Sequence, residues 1–225
     1  MSVVDNLIFL MNENINENSI GFKKKKRIIH ESNVSNKTII NVDIQPEYEK
    51  FIPFLGEWVS FINENSNNNR IVFLYNGADT LGMISESEYI SWLFDLGIDE
   101  EVIDTATFYD KGYAFFRYCM DSGIDEENIS DLVKFMLKHN INDSREIDSD
   151  MWDEFMNETG NSKEDVRELL EFADDMISIP DLMDFLNSYN NIVLLGGGIN
   201  ECLKEVEIAL LALDQKYNIM SKFTY

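Results

Sequence analysis

The strongest constraint on the fold of this chain lies in residues 191–213, with the sequence NIVLLGGGINECLKEVEIALLAL. The apolar run 192–195 predicts a buried parallel strand, because such strands are covered on both faces and show no polar alternation. Three glycines, 196–198, then lead into a segment whose apolar residues recur on one face of a helix. A strand, a glycine turn and a helix in this order predict a unit of an α/β sheet.

A cysteine, Cys202, falls in the first turn of that helix, because Asn200 occupies the expected N-cap position. Unpaired backbone N–H groups and the helix dipole favour a thiolate there, and the thiolate is the nucleophilic form of cysteine. Alternatively, Cys202 can be a small buried residue that only packs between the helix and a strand. Cys202 is therefore a candidate nucleophile, and Gly197 and Gly198 are candidates for binding an oxyanion beside it.

The composition indicates one acidic domain. With 225 residues and 44% hydrophobic content, the chain can bury a substantial core. Its formal net charge of -24 argues against general nucleic-acid binding, because phosphate would be repelled over most of the surface. No apolar run reaches the length of a membrane span, and no signal peptide is indicated. Two cysteines do not make a disulfide framework, which favours a reducing, cytoplasmic location.

Four further segments predict the remaining strands of the sheet. Residues 37–45 and 70–75 are both apolar and are separated by a helical segment at 48–62, which indicates a parallel βαβ unit. Residues 105–109 and 217–225 are shorter candidates, rich in aromatic and apolar side chains. Together with the glycine strand, these segments predict an α/β fold with a mostly parallel sheet of about five strands.

The predicted domain spans residues 37–225. The preceding segment, 1–36, is expected to be peripheral or flexible, and it contains the basic run KKKKR at 23–27. Such a run can be a localisation signal, a phosphate contact or a solvated surface arm. Residues from about 121 to 180 are helical in pattern and rich in Asp and Glu, which predicts an acidic helical insertion.

Three polar residues of complementary chemistry follow predicted strands: Asp43, Lys111 and Cys202. In open α/β sheets, sites lie outside the carboxyl ends of the strands. A thiolate can attack a carbonyl carbon, a carboxylate can take the thiol proton, and an ammonium lowers the pKa values of both acids. This combination suits a cysteine hydrolase. Two of these residues also have a purely structural interpretation. Asp43 can be a turn residue that caps the segment before Pro46, and Lys111 can be a surface lysine at a turn.

Three motifs, in the same order along the chain, resemble those of the isochorismatase-like cysteine hydrolases. Residues 43–45, DIQ, resemble the D-x-Q motif that opens this family's domain. Residues 109–115, YDKGYAF, are similar to its lysine segment, and residues 193–202, VLLGGGINEC, are similar to its nucleophile motif. The resemblance implies a Rossmann-like three-layer α/β sandwich.

The resemblance also implies a catalytic triad of Asp43, Lys111 and Cys202, which would hydrolyse a small amide, ester or related carbonyl substrate. Some members of the family hold a metal ion through histidines that follow the second strand. The histidines of this chain are His30 and His139, and neither occupies that position. We therefore expect no metal ion and no cofactor.

Two other functions fit the sequence. A catalytically inactive copy of the same fold could be a protein-interaction module, whose acidic helical surface binds a basic protein partner in a salt-sensitive manner. The triple-glycine turn could instead cradle a phosphate or nucleotide, although GGGIN lacks the full dinucleotide-binding spacing. Assembly into a homo-oligomer is compatible with each of these functions.

Overall fold

A sheet of six parallel strands lies at the centre of the described part of the chain, which comprises residues 27–28, 35–77, 83–111, 123–164, 169 and 181–225. In this computed structural model the strands are β1 (Arg27–Ile28), β2 (Thr38–Val42), β3 (Arg70–Tyr75), β4 (Thr107–Asp110), β5 (Ile192–Gly196) and β6 (Tyr217–Ile219). Their order across the sheet is β1-β6-β5-β2-β3-β4. The predicted parallel sheet is confirmed, with the two-residue strand β1 added at its edge.

Helices cover both faces of this sheet. They are α1 (Leu55–Asn65), α2 (Glu86–Leu96), α3 (Glu100–Thr105), α4 (Glu126–His139), α5 (Ser149–Thr159), α6 (Asp181–Asn187) and α7 (Cys202–Ala212). Helices α1 to α3 pack on one face, and α4 to α7 pack on the other. The predicted Rossmann-like three-layer α/β sandwich is therefore confirmed.

Two apolar cores form because neighbouring residues along a strand point to opposite faces of the sheet. Ile39 of β2 and Val193 of β5 belong to the core under α1 to α3. The next residues, Ile40 and Leu194, belong to the core under α4 to α7. All four side chains are fully buried. Burial on both faces explains why these strands are continuous apolar runs in the sequence.

The strand order reverses between β2 and β5, which lie side by side in the middle of the sheet. From β2 the chain proceeds outward to β3 and β4, whereas from β5 it proceeds to β6 in the opposite direction. Ligands of open α/β sheets bind outside the carboxyl ends of the strands at such a reversal. The residues directly after β2 and β5 therefore occupy the expected location of a site.

The predicted boundaries differ from the observed ones where a neighbouring element competes. Strand β3 matches the predicted strand 70–75. The strand predicted at 105–109 is observed as β4, which begins two residues later than predicted because α3 extends to Thr105. The predicted strand 217–225 is reduced to β6, and a 3-10 turn follows it. The helical segment predicted at 48–62, with an interruption at Pro53, is observed as a 3-10 helix before this proline and α1 after it, because proline restricts the preceding residue and lacks an N–H donor.

The predicted peripheral segment and insertion are described only in part. Of residues 1–36, the structure describes β1 and the last two residues, and most of the basic run 23–27 lies outside the described ranges. Of the predicted insertion at 121–180, residues 123–164 and 169 are described. There α4 packs against α7, and its apolar side chains belong to the core on that face.

No helix in the described ranges has both the length and the apolar character needed to cross a membrane.

Gly196, the last residue of β5, allows the ends of β2 and β5 to lie close together. Its φ angle is +80°, a conformation that glycine adopts without strain. A Cβ atom at this position would lie 2.3 Å from the carbonyl oxygen of Val42. Any side chain would therefore have to push the two central strands apart.

We expect Gly196→Ala to lower the free energy of unfolding by about 2 to 4 kcal/mol, through backbone strain and overpacking combined. Urea denaturation followed by far-UV circular dichroism measures the change. The matched control is Gly56→Ala in α1, where nothing lies within 4 Å of the added Cβ. That control should be neutral or stabilising by up to about 1 kcal/mol. Equal stability of the two variants would contradict the role assigned to Gly196.

Candidate functional site

The three residues of the predicted triad lie together at the carboxyl edge of the sheet. Asp43 directly follows β2, Lys111 directly follows β4, and Cys202 is the first residue of α7. The Nζ atom of Lys111 lies 3.1 Å from Oδ2 of Asp43. The Asp43 carboxylate is also close enough to Cys202 to raise the pKa of its thiol. The N-cap of α7 is Glu201, so the predicted cap at Asn200 is wrong by one residue.

The backbone around Asp43 is fixed by hydrogen bonds from three directions. Its N–H donates to the carbonyl oxygen of Leu74 at 2.9 Å, which continues the ladder between β2 and β3. Its own carbonyl oxygen accepts from the Tyr225 hydroxyl at 3.1 Å. The next carbonyl, of Ile44, accepts from the Tyr89 hydroxyl at 2.7 Å. These bonds hold Asp43 at a φ of +50°, in the left-handed region that aspartate tolerates better than most residues.

The Asp43 side chain is fully buried and faces Lys111, so it is not a turn residue that caps the segment after it. Within the described ranges, no N–H or O–H group donates a hydrogen bond to either carboxylate oxygen. The carboxylate therefore has lone pairs that can accept the proton of the neighbouring thiol.

Lys111 is buried rather than on the surface, which contradicts its reading as a surface lysine. Its side chain is only 3% exposed. The backbone N–H donates to the carbonyl oxygen of Tyr75 at 2.9 Å, so the residue extends the pairing of β4 with β3. Residues 112–115 of the lysine motif lie outside the described ranges.

A second carboxylate, Glu205, holds the ammonium of Lys111 from the opposite element. Nζ of Lys111 donates a hydrogen bond of 2.8 Å to Oε2 of Glu205, a residue that is itself only 2% exposed. Glu205 belongs to none of the three motifs. Its spacing of three residues from Cys202 on one helix would have been the signal, because residues at i and i+3 share a helix face.

The surroundings keep Lys111 protonated. Burial lowers the pKa of its ammonium, but the carboxylates of Asp43 and Glu205 act more strongly and raise the pKa above its ordinary value of 10.5. Lys111 is therefore a permanent cation at neutral pH, and it can stabilise negative charge but cannot act as a base.

Cys202 is a neutral thiol, which contradicts the thiolate expected at a helix N-terminus. Burial and then the Asp43 carboxylate raise the pKa of Cys202 to about 12, with a smaller contribution from Glu205. Lys111 lowers this pKa but does not compensate. Two nearby carboxylates and desolvation thus outweigh the helix dipole, which is worth up to about 2 kcal/mol in favourable, partly buried positions.

The predicted oxyanion glycines form a tight turn against the start of α7. Gly197 has a φ of +61°, and a Cβ there would lie 2.9 Å from the backbone nitrogen of Leu203. The carbonyl oxygen of Gly198 accepts hydrogen bonds from the N–H groups of Glu201, at 3.0 Å, and Leu203, at 3.1 Å. Outside α7, no backbone carbonyl oxygen of the described residues accepts a hydrogen bond from the N–H of Cys202. This N–H is therefore available for an oxyanion.

Tyr225 closes the glycine turn from the other side. Its N–H donates to the carbonyl oxygen of Gly197 at 3.2 Å, and its carbonyl oxygen accepts from the N–H of Ile199 at 3.0 Å. Because its hydroxyl also binds the backbone of Asp43, one residue links the glycine turn to the triad carboxylate.

The glutamine of the DIQ motif connects the ends of β2 and β3. Oε1 of Gln45 accepts from the backbone N–H of Asn76 at 2.9 Å, and its Nε2 donates to Glu47 at 2.9 Å. Gln45 is fully buried. Its role is thus to fix the edge of the sheet on which Asp43 lies. Tyr48 is close enough to the site that burial, and then the charge of Asp43, raise the pKa of its hydroxyl.

A group of side chains with metal-ligand chemistry lies on helices α4 and α5, outside the predicted triad. Among the described residues, it consists of His139, Glu154 and Glu158, whose ligand atoms are all within 4.8 Å of one another. Nε2 of His139 lies 3.6 Å from Oε1 of Glu154, and Lys138 forms an ion pair with Glu158. Each carboxylate of this group therefore has a basic side chain beside it, His139 for Glu154 and Lys138 for Glu158.

Comparisons of this chain with protein-family models, with curated proteins and with solved structures gave no match. The resemblance to the isochorismatase-like hydrolases therefore stays a prediction, and it is carried by the three motifs alone.

We expect Asp43→Asn to increase the rate at which iodoacetamide labels Cys202, because the lost carboxylate charge lowers the pKa of the thiol. At about pH 9 the gain should be on the order of tenfold, which corresponds to one pKa unit. Mass spectrometry measures the labelling, in a Cys119→Ser background that leaves Cys202 as the single thiol. In urea the two proteins should label equally. Unchanged labelling of the folded variant would show that Asp43 does not act on the thiol, and slower labelling would contradict the effect of its charge on the thiol pKa.

Proposed function

We propose that this protein is a metal-independent cysteine hydrolase that acts on a small amide, ester or related carbonyl substrate. The observation that carries this proposal is that a buried carboxylate, a buried ammonium and a half-buried thiol come together at the carboxyl edge of the sheet. Nζ of Lys111 lies 3.1 Å from Oδ2 of Asp43, and the same carboxylate is near enough to raise the pKa of the Cys202 thiol. General base, fixed cation and nucleophile are the groups that acyl transfer to a thiol requires.

In the first step, Asp43 takes the thiol proton as the sulfur of Cys202 attacks the carbonyl carbon. The S–C bond forms, and the carbonyl electron pair moves to oxygen, where the free N–H of Cys202 and the glycine turn can donate hydrogen bonds. Collapse of the tetrahedral species breaks the bond to the leaving amine or alcohol, which receives the proton from Asp43. A thioester on Cys202 remains.

In the second step, Asp43 takes a proton from water as the water oxygen attacks the thioester. Collapse expels the sulfur of Cys202, which recovers its proton from Asp43, and releases a carboxylic acid. Lys111 stays protonated throughout and balances the charge that moves between Asp43 and the oxyanion.

The raised pKa of Cys202 supports proton transfer during attack rather than a preformed thiolate. A thiol with a pKa of about 12 is almost entirely protonated at neutral pH. Such a nucleophile depends on a base in direct contact, and positioned general bases contribute about 10² to 10⁴-fold to rates.

The proposal predicts that the protein releases 4-nitrophenol from 4-nitrophenyl acetate through an acetylated Cys202. Asp43→Asn should lower kcat by about 10² to 10⁴-fold, the contribution of a general base. Cys202→Ala should show only the uncatalysed rate, whereas Cys119→Ser should retain activity. Absorbance measures release, and intact-mass spectrometry detects the acetyl adduct. Equal activity of Cys202→Ala and the parent protein would refute the proposal.

A catalytically inactive interaction module is the second candidate, and the protonated Cys202 together with the net charge of -24 favours it. In that function the Asp43–Lys111–Glu205 group is a structural ion-pair network, and the acidic helices bind a basic protein.

This second function predicts binding to polylysine with an affinity that falls as salt rises, because exposed charges are screened over about 10 Å at 0.1 M salt. Isothermal titration calorimetry measures the affinity. The Cys202→Ala variant should bind as the parent does, since the thiol has no part in this surface. Salt-independent binding, or none, would eliminate the candidate.

A further inference from the structure

Helices α4 and α5 bring one imidazole and two carboxylates to a common point outside the triad. His139 is the last residue of α4, and Glu154 and Glu158 lie one turn apart on α5. Their ligand atoms are all within 4.8 Å of one another. Three donors at about 2.0 to 2.2 Å from one tetrahedral ion lie about 3.4 Å apart. Small rotations of these side chains would therefore bring all three onto the same ion.

The imidazole nitrogen points to a ligand independently of the carboxylates. Nε2 of His139 is buried, and no group in the described ranges forms a hydrogen bond with it. Its distance of 3.6 Å from Oε1 of Glu154 is too long for a hydrogen bond. Buried polar atoms of native proteins nearly always have a partner, and a bound ion is one of the partners that account for an exception.

The ring of His139 is held in position by packing within α4. It lies on the buried ring of Phe135, one turn earlier, with the two centroids 4.3 Å apart. This contact keeps Nε2 directed at the two carboxylates of α5 and reduces the rotational freedom that a bound ion would have to restrict.

The carboxylates of the group gain from a cation between them. Glu154 and Glu158 are at positions i and i+4 of α5, where like charges destabilise a helix. Lys138 offsets this repulsion in part, through its ion pair with Glu158. The side chains of that pair are 54% and 40% exposed, and exposed ion pairs contribute little free energy. A divalent ion can therefore displace the ammonium.

We propose that His139, Glu154 and Glu158 form a binding site for a divalent transition-metal ion of the Zn²⁺ type, which joins α4 to α5. An imidazole ligand suits Zn²⁺ and similar ions, whereas Mg²⁺ and Ca²⁺ prefer oxygen ligands alone. The side chain of Glu154 is 48% exposed, so the ion can enter from solvent and keep a water ligand. The ion has no part in the reaction proposed for Cys202, and this inference does not rest on that function.

Isothermal titration calorimetry with ZnCl₂ tests the proposal. The parent for this test is the full chain with Cys119→Ser and Cys202→Ala, because thiolates are themselves strong zinc ligands. It should bind one Zn²⁺ saturably, and Zn²⁺ should raise its thermal unfolding temperature, because the ion binds the folded helix pair. Millimolar Mg²⁺ should leave the zinc affinity unchanged.

His139→Gln and Glu154→Gln should each weaken zinc binding by at least about tenfold, because loss of a side chain that merely orients a ligand already costs about 10 to 100-fold. Lys138→Gln should strengthen binding by about 2 to 5-fold, since the competing ion pair is lost. The matched control is Asp153→Asn, which removes an exposed carboxylate from α5 outside the group and should not change the affinity.

The absence of saturable zinc binding by the parent would overturn the proposal, whether or not the ligand variants fold. Far-UV circular dichroism identifies the variants that are folded. Undiminished binding by a folded His139→Gln would place the ion elsewhere and would also overturn it. An equal loss in Asp153→Asn and Glu154→Gln, or displacement of Zn²⁺ by millimolar Mg²⁺, would show general attraction to acidic side chains in place of a site.

Discussion

The site depends on one buried ammonium that joins three separate elements. Lys111, after β4, is held between Asp43, after β2, and Glu205, on α7. An isolated charge could not be buried here, because desolvation costs several kcal/mol per ion unless partners are close and well placed. The three groups therefore require one another, and the positions of the strand ends and of α7 are fixed together with them.

The topology of the sheet explains why residues so distant in sequence meet. Strands β2 and β5 are neighbours at the reversal of strand order, and Gly196 lets their ends approach closely. The polar residues that follow them must share the small space at this edge. The meeting of these polar residues at this position follows from the connection order of the strands and from the absence of a side chain at one glycine.

Much of the fold could be predicted from the sequence, because strands covered on both faces must be continuous apolar runs. Strand β3 was predicted with its observed ends, and the meeting of Asp43, Lys111 and Cys202 followed from their positions after parallel strands. The state of Cys202 could not be predicted locally. The helix-terminus rule considers only neighbours in sequence, whereas burial and the charge of Asp43, which is distant in sequence, decide the pKa. The hydrogen bond between Glu205 and Lys111 could not be predicted for the same reason, since the two residues lie 94 positions apart.

The contacts of Tyr225 have a consequence for the order in which the molecule assembles. Its hydroxyl binds the backbone of Asp43 across a sequence separation of 182 residues, while its backbone secures the glycine turn. Contacts of such long range carry a large loop-closure cost and are slow to form. The glycine turn and the backbone of Asp43 are therefore secured to each other only when the last part of the sheet has docked. A partly folded chain would have an incomplete glycine turn. The reactivity of the Cys202 thiol would therefore indicate whether the distant parts of the domain have folded together.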